Sequence, residues 1–265
     1  MMSGNRPVIT ITTDYGYQDH YVSALKGVIL GINPEANIVD VSHAIPAADI
    51  MGGAWVISNS AFLYPPGTVH LGIIDPGVGS SRKGIIVQVD DQIFIGPDNG
   101  LFSFTFPGRK VSGYYLENPD YTREHISNTF HGRDIFAPVA AHASKGVEPK
   151  HFGPVAGKLE TYKMPMPITD DKGIEGWVVH IDAYGNLITN ISDKELSLIE
   201  DKSFKVYVGS VILSEIVSTF SDVPDGEPAA IRGSSGMLEI VLNKGHAQNM
   251  LSVQKGDAVS IVFRS

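Results

Sequence analysis

The stretch VITITTDYGYQDHYVSALKGVILGI, residues 8–32, reads as a strand, a polar turn and a helix in immediate succession. Val8–Ile11 is a short β-branched run with the texture of a buried strand. From Tyr21 onward, apolar residues recur at Val22, Leu25, Val28, Ile29 and Ile32, the spacing of one helix face, and Gly31, Asn33 and Pro34 stop it. The alternation continues downstream. Ile38–Val41, Val69–Ile74 and Ile85–Val89 are further β-branched runs flanked by turn residues, read as strands of a parallel sheet. A second helix is expected over 49–61 behind an Asp49 cap, and a third over about 134–145. Strand, helix, strand, helix predicts an α/β sandwich with a mostly parallel sheet.

Residues 161–173, TYKMPMPITDDKG, combine Pro165 and Pro167 with Asp170, Asp171 and Gly173, and no helix or strand period crosses them. The reading places a domain boundary there, dividing 1–168 from 169–265. Beyond it, Trp177–Ile181, Phe204–Val208, Met237–Leu242 and Ala258–Phe263 alternate with Gly and Asp turns and show little helical period. That texture predicts a small antiparallel, barrel-like β domain.

A chain of 265 residues is long enough for a sizeable core, and 20 basic against 29 acidic residues give a net charge of −9. Neither half has a basic excess, which argues against nucleic-acid or anionic-membrane partners. Cysteine is absent. Disulfides, thiolate metal sites and a thiol nucleophile are thereby excluded, and catalysis must run on oxygen and nitrogen groups. The opening MMSGNRPVITITTDYG has too short an apolar run for a signal peptide, and no run approaches a membrane span, so the expectation is a soluble cytoplasmic protein.

Ligands of open α/β sheets bind at the carboxyl ends of the strands. Asp14 follows ITITT, Ser42-His43 follow IVDV and Asp75 follows HLGII, so these polar groups should converge on one rim. The segment Asn128–Asp134 opens the third helix and brings His131 towards the same rim. Each residue also has a structural role open to it. Asp75-Pro76-Gly77 is a turn sequence, Asp14 before Tyr15-Gly16 suits a turn or helix cap, and His131 suits a surface or capping position. His43 is read as structural. Gly77-Val78-Gly79-Ser80-Ser81-Arg82 starts like a dinucleotide fingerprint but has Arg82 where the third glycine belongs, and neither a P-loop, HExxH nor GxSxG occurs. Asp14, Asp75 and His131 are hard ligands, yet without a closely spaced ligand pair no metal is assigned.

The segments TTDYGYQDHYVSALKG (12–27), DVSHAIPAADIMGGAW (40–55), HLGIIDPGVGSSRK (70–83), GPDNGLFS (96–103), NTFHGRDIFAPVAAH (128–142), HIDAYGNLITNI (180–191) and GSSGMLEIVLNKG (233–245) run through nearly the whole chain. Together they resemble the S-adenosylmethionine (SAM) hydrolases, also called SAM hydroxide adenosyltransferases, which are relatives of the fluorinase and chlorinase. The resemblance implies attack by water on C5′ of the SAM ribose, giving adenosine and methionine, with SAM as substrate and no cofactor. It implies Asp75, Arg82 and His131 as the water-handling residues, Asp14 on the ribose hydroxyls, Asn186 on the adenine edge, and Asp182 and Ser234 near the methionine end. Asp19, Thr129 and Gly132 match further pocket positions, and Tyr184 either stacks on adenine or packs in the core. It also implies a homotrimer with active sites at subunit interfaces.

The halogenating relatives carry Tyr at the positions of Asp75 and His131, and a carboxylate at 75 would repel halide. Gly132 is closer to the chlorinase, and the Asp182–Asn186 spacing is one residue shorter than the fluorinase's. The competing readings are a SAM-dependent halide adenosyltransferase, a SAM-binding sensor without turnover, and a metal-dependent hydrolase of another nucleotide.

Overall fold

The computed structural model describes residues 6–200 and 202–264, so the first five residues of the opening segment lie outside the described residues. The chain divides into two compact units, Met1–Lys163 and Met164–Ser265. The first carries a six-stranded sheet of β1 (Val8–Thr13), β2 (Asn37–Ser42), β3 (Val69–Ile73), β4 (Gly84–Val89), β5 (Gln92–Pro97) and β6 (Val111–Tyr115), ordered β2-β1-β3-β5-β4-β6. The first four in that order run parallel to one another. The sheet is therefore mostly parallel, with one correction. β4, expected parallel, is antiparallel to both β5 and β6. Only Asp90 and Asp91 separate β4 from β5, with Asp90 at φ 52, and so short a connection can only reverse the chain.

The helices α1 (Tyr21–Ile32) and α2 (Ile50–Ser60) fall where periodicity and capping put them, and the Asp49 carboxylate accepts from Gly52 N at 2.9 Å. The third helix departs from expectation. A π-helical turn, Gly132–Phe136, precedes α3 (Ala137–Ser144), with Ala137 N–H reaching back five residues to Gly132 O. Pro138 has no N–H to give the Asp134 carbonyl, which instead accepts from Arg123 N at 2.9 Å. One core joins α1 and α3 to the sheet through Leu25, Ile29, Ala140, Ile9, Ile11 and Leu71. A second joins α2 through Ile57, Ile74, Val87, Phe94 and Phe102. The sheet is thus covered on both faces, and its open polar ground is the strand ends.

The second unit is a nine-stranded, barrel-like and almost wholly antiparallel sheet. It comprises β7 (Ile168–Thr169), β8 (Gly173–Ile181), β9 (Leu187–Ser192), β10 (Phe204–Val208), β11 (Val211–Leu213), β12 (Ile216–Val217), β13 (Pro228–Arg232), β14 (Met237–Leu242) and β15 (Ala258–Phe263). Their order is β11-β10-β15-β8-β9-β14-β13-β12 with β7 on β8, and the β12–β13 pair alone is parallel. The Pro-rich stretch read as structureless contains β7 and the first residue of β8, held by the Asp170 carboxylate accepting from Lys172 N and Gly173 N. One sheet face forms the core with Leu187, Ile191, Val206, Leu238, Ile240, Val259 and Ile261.

Candidate active site

Strand register builds the rim. In the parallel array Thr13 lies opposite Ile73 and Thr12 opposite Ser42, so Asp14, His43 and Asp75 all emerge within two residues of the same sheet edge. Asp75 serves as both turn and side-chain site. Its carbonyl accepts from Val78 N at 3.2 Å, while its carboxylate Oδ2 accepts from Arg82 Nη2 at 2.5 Å. The two side chains are 6% and 9% exposed, which makes this a buried ion pair. The same Nη2 donates to His131 Nδ1 at 3.0 Å. A guanidinium has only donors, so Nδ1 is the acceptor and the ring proton sits on Nε2. The predicted capping role for His131 is absent, since its side chain makes no cap hydrogen bond.

The electrostatics agree with that tautomer. Burial, and then the Arg82 charge, hold the His131 pKa below the ordinary imidazole value, keeping the ring neutral. Burial pushes the Asp75 carboxyl above the usual carboxylate range, with Arg82 pulling the other way. Asp75 Oδ1 and Arg82 Nε are buried without a hydrogen-bond partner. Such orphaned groups, one acceptor and one donor, cost free energy unless a ligand or water meets them.

Two features that the sequence reading passed over hold this arrangement. Gly79 has φ 79, and a Cβ there would stand 2.4 Å from Asn128 O. Glycine thus lets the Asp75–Arg82 loop close onto the segment that carries His131. Asp134, fully buried, accepts from Arg123, from both Nε and Nη2 of Arg133, and from Ser127 N, which pins the loop ahead of His131.

Asp14 is neither a local turn nor a helix cap: its Oδ2 accepts from Ala48 N at 2.9 Å. Ala48 sits at φ 63, a costly conformation for a residue with a Cβ, and one that turns its amide to Asp14. His43 braces the same loop. Its Nδ1 lies 2.7 Å from Thr13 Oγ1, its carbonyl accepts from Gly16 N, and its Nε2 is 3.1 Å from Asp40 Oδ1. Tyr15 was also missed. Its hydroxyl is 2.6 Å from where a Cβ on Gly132 would stand, and burial together with the Asp14 and Asp75 charges drives its pKa upward, so it stays neutral.

Not every candidate is drawn in. Asp19 is exposed, and Thr129 is exposed with its hydroxyl 3.2 Å from Ser127 Oγ. In the second unit, Asp182 spends its carboxylate on its own hairpin: Oδ1 accepts from Tyr184 N and Asn186 N, and Oδ2 from Asn186 Nδ2, each at 2.9 Å. Asn186 is thereby fixed and buried with its amide oxygen uncommitted. Tyr184, 77% exposed, is not a core residue. Ser234 is exposed in the turn between β13 and β14. Among the described residues, no three His, Asp or Glu side chains are grouped to hold a metal ion, and no helix is long and apolar enough to cross a membrane.

Comparison with known proteins bears on the whole chain. The family model for the SAM hydroxide adenosyltransferase N-terminal domain matches residues 9–153, and that for the family's C-terminal domain matches residues 176–260. The chain is 34% identical to the (R)-S-adenosyl-L-methionine hydrolase of Salinispora tropica, over 96% of this chain and 97% of the relative. It is 33% identical to that of Thermus thermophilus, over 97% and 100%. The fluorinase of Nocardia brasiliensis is more distant, at 24% identity over 98% of each chain. Among solved structures, an uncharacterized conserved protein from Thermotoga maritima superposes with a TM-score of 0.89 at 36% identity, covering 96% of this chain and 99% of that one.

Proposed function

Because the chain belongs to the SAM hydroxide adenosyltransferase family, we propose that it hydrolyses S-adenosyl-L-methionine by attack of water on ribose C5′, yielding adenosine and L-methionine. The observation that carries this reading is the buried Asp75–Arg82–His131 group with its unpartnered Asp75 Oδ1.

The chemistry follows from what this reaction lacks. The leaving group is a sulfonium, which departs as a neutral thioether once it takes the C5′–S electron pair, so it needs neither a proton nor a Lewis acid. The nucleophile is the difficulty, because water has a pKa of about 15.7 and must lose a proton as its oxygen bonds to carbon. Two groups are candidates to take it. His131 carries its own proton on Nε2 and its Nδ1 is occupied by Arg82, so it is a donor that orients the water. Asp75 Oδ1 is the available acceptor, raised by burial towards a useful basicity. In this account the water oxygen forms the C5′–O bond, the C5′–S bond breaks, and one water proton passes to Asp75 and on to solvent. Arg82 fixes the carboxylate through Oδ2. Asp14 takes the two ribose hydroxyls with Oδ1, while Ala48 N holds Oδ2. Asn186, locked by Asp182, reads the adenine edge, with Asp19, Thr129, Gly132, Tyr184 and Ser234 lining the remainder.

The distant fluorinase likeness supports a second reading, halide attack on the same carbon. The Asp75 carboxylate opposes it by charge. We further propose that the enzyme needs no cofactor, works as a cytoplasmic homotrimer with active sites at subunit interfaces, and has its catalytic residues in a domain spanning 1–168 followed by a β domain. The trimer and the absence of a cofactor follow from the family resemblance, the cytoplasmic setting and the domain boundary from the reading of the sequence. The test is incubation of purified protein with each sulfonium epimer of SAM, with and without chloride and EDTA, followed by identification of the nucleoside. The relatives are named for the R epimer. Adenosine formation independent of chloride and EDTA is expected; 5′-chloro-5′-deoxyadenosine, or binding without turnover, would overturn the reading.

A further inference from the structure

The hydroxyl of Tyr15 has no part in the roles assigned so far. Thr13 of β1 pairs with Ile73 of β3, so Tyr15 and Asp75, each two residues further on, leave neighbouring strands at the same level. The backbone there is fixed. Tyr15 N donates to Thr13 Oγ1 at 3.2 Å, Thr13 Oγ1 lies 2.7 Å from His43 Nδ1, and Gly16, at φ 66, donates through its N–H to His43 O at 2.8 Å. The ring is fixed too, with centroid distances of 5.7 Å to Tyr21 and 6.1 Å to Phe130, the latter edge-on. Phe130 directly precedes His131, so this packing sets Tyr15 against the segment that carries the histidine.

The hydroxyl ends over Gly132. It stands 2.6 Å from the place a Cβ there would take, so it fills space that any other residue at 132 would need for its own side chain. Among the described residues it has no hydrogen-bond partner. Burial, and then the Asp14 and Asp75 charges, raise its pKa, with Arg82 opposing, so the phenol keeps its proton and does not compete with Asp75 as a base. A half-buried hydroxyl beside two carboxylates and a guanidinium is thus left for a ligand or a water to meet.

We propose that the Tyr15 hydroxyl is a further catalytic residue, accepting a hydrogen bond from the attacking water through the hydrogen that the water keeps. The inference rests on the hydrolase reading. A water molecule has two hydrogens and two lone pairs. During attack one lone pair forms the bond to C5′, and the other accepts from the Nε2–H of His131. One hydrogen passes to Asp75 Oδ1. The second stays on the oxygen, becomes the hydrogen of the adenosine 5′-hydroxyl, and needs an acceptor that does not remove it. A neutral phenol suits that task better than a carboxylate, because it accepts a hydrogen bond yet is far too weak a base to take the proton. With Asp75, His131 and Tyr15 each holding the water in a different direction, its remaining lone pair is aimed at the carbon before the reaction begins.

The test uses Tyr15→Phe, which keeps the ring and its packing. Two readouts are taken: SAM turnover, and calorimetric binding of adenosine against 5′-deoxyadenosine, which lacks the retained hydroxyl. In the variant kcat should fall by about 3- to 10-fold, the span of one neutral hydrogen bond, while the SAM dissociation constant changes by less than about twofold. The preference of wild type for adenosine over 5′-deoxyadenosine should shrink by a similar factor, with 5′-deoxyadenosine bound as before, which also reports an intact fold. A kcat within about twofold of wild type, an unaltered preference for adenosine, or equal losses for both nucleosides would each overturn the assignment. If wild type forms no adenosine from SAM, the hydrolase reading itself fails; if it does and Tyr15→Phe gives one of those results, only the role of Tyr15 fails.

Discussion

Neutralising Asp75 while keeping its shape separates proton transfer from binding. In Asp75→Asn the Arg82 Nη2 contact, 2.5 Å in the native protein, loses its charge, and the proton acceptor at Oδ1 is replaced by an amide. Loss of a positioned general base lowers kcat by about 10²- to 10⁴-fold. Because the group acts chiefly in the transition state, the SAM dissociation constant should change by less than about threefold. Removing one member of a buried ion pair costs about 3–5 kcal/mol of stability. Arg82 keeps acceptors in His131 Nδ1 and Lys83 O, which places the loss at the lower end of that range. Burial raises the Asp75 pKa, so wild-type kcat/KM should fall on the acid side at a pH above the ordinary carboxylate value of about 3.9. The sulfonium charge should move the corresponding limb of kcat lower, and both limbs should vanish in the variant. Initial rates of adenosine release across pH, calorimetry with SAM and urea melts supply these quantities. A folded Asp75→Asn enzyme with kcat within threefold of wild type would refute the reasoning, and a large rise in dissociation constant would make Asp75 a binding residue.

Asp14→Ala should raise KM for SAM by about 10- to 100-fold, and 2′-deoxy-SAM should lose less on the same substitution; equal losses would make Asp14 structural. Gly132→Ala places a Cβ 2.6 Å from the Tyr15 hydroxyl and should lower kcat by about tenfold or more, whereas in a Tyr15→Phe background the same change should cost little, measurable as a double-mutant cycle. His70, buried between Thr10 and Gln92, has its pKa pushed down to about 4 by burial. The unfolded chain therefore binds the extra proton below about pH 6.5, so stability is greatest above that value and should fall by about 3 kcal/mol as pH drops to 4, read from urea melts and diminished in His70→Gln.

The legible parts of this protein were those written in local pattern. Helix 21–32 has an apolar face and an Asn-Pro stop, and the second helix has its Asp49 cap. The direction of Gly84–Val89 was not legible, because a β-branched run fits either orientation and the reversal lies in the two-residue Asp90-Asp91 connection. The π turn at Gly132–Phe136 depends on a proline downstream and on Arg123, far from any local period. At the site, the strand ends put Asp14 and Asp75 on one rim, and the segment opening the third helix put His131 beside them. His43 was left as structural, and the structure gives that role its content, a brace on the Asp14 loop. Tyr15, Ala48 and Asp134 were missed because their roles arise from backbone conformation and contacts across the fold.

The central claim is that water is the nucleophile and C5′ the carbon attacked. Hydrolysis of SAM in ¹⁸O-enriched water, with mass spectrometry of both products, tests it directly. The account predicts one ¹⁸O atom in the adenosine 5′-hydroxyl and none in methionine. Unlabelled adenosine, labelled methionine, or the appearance of adenine or methylthioadenosine in place of adenosine would contradict it.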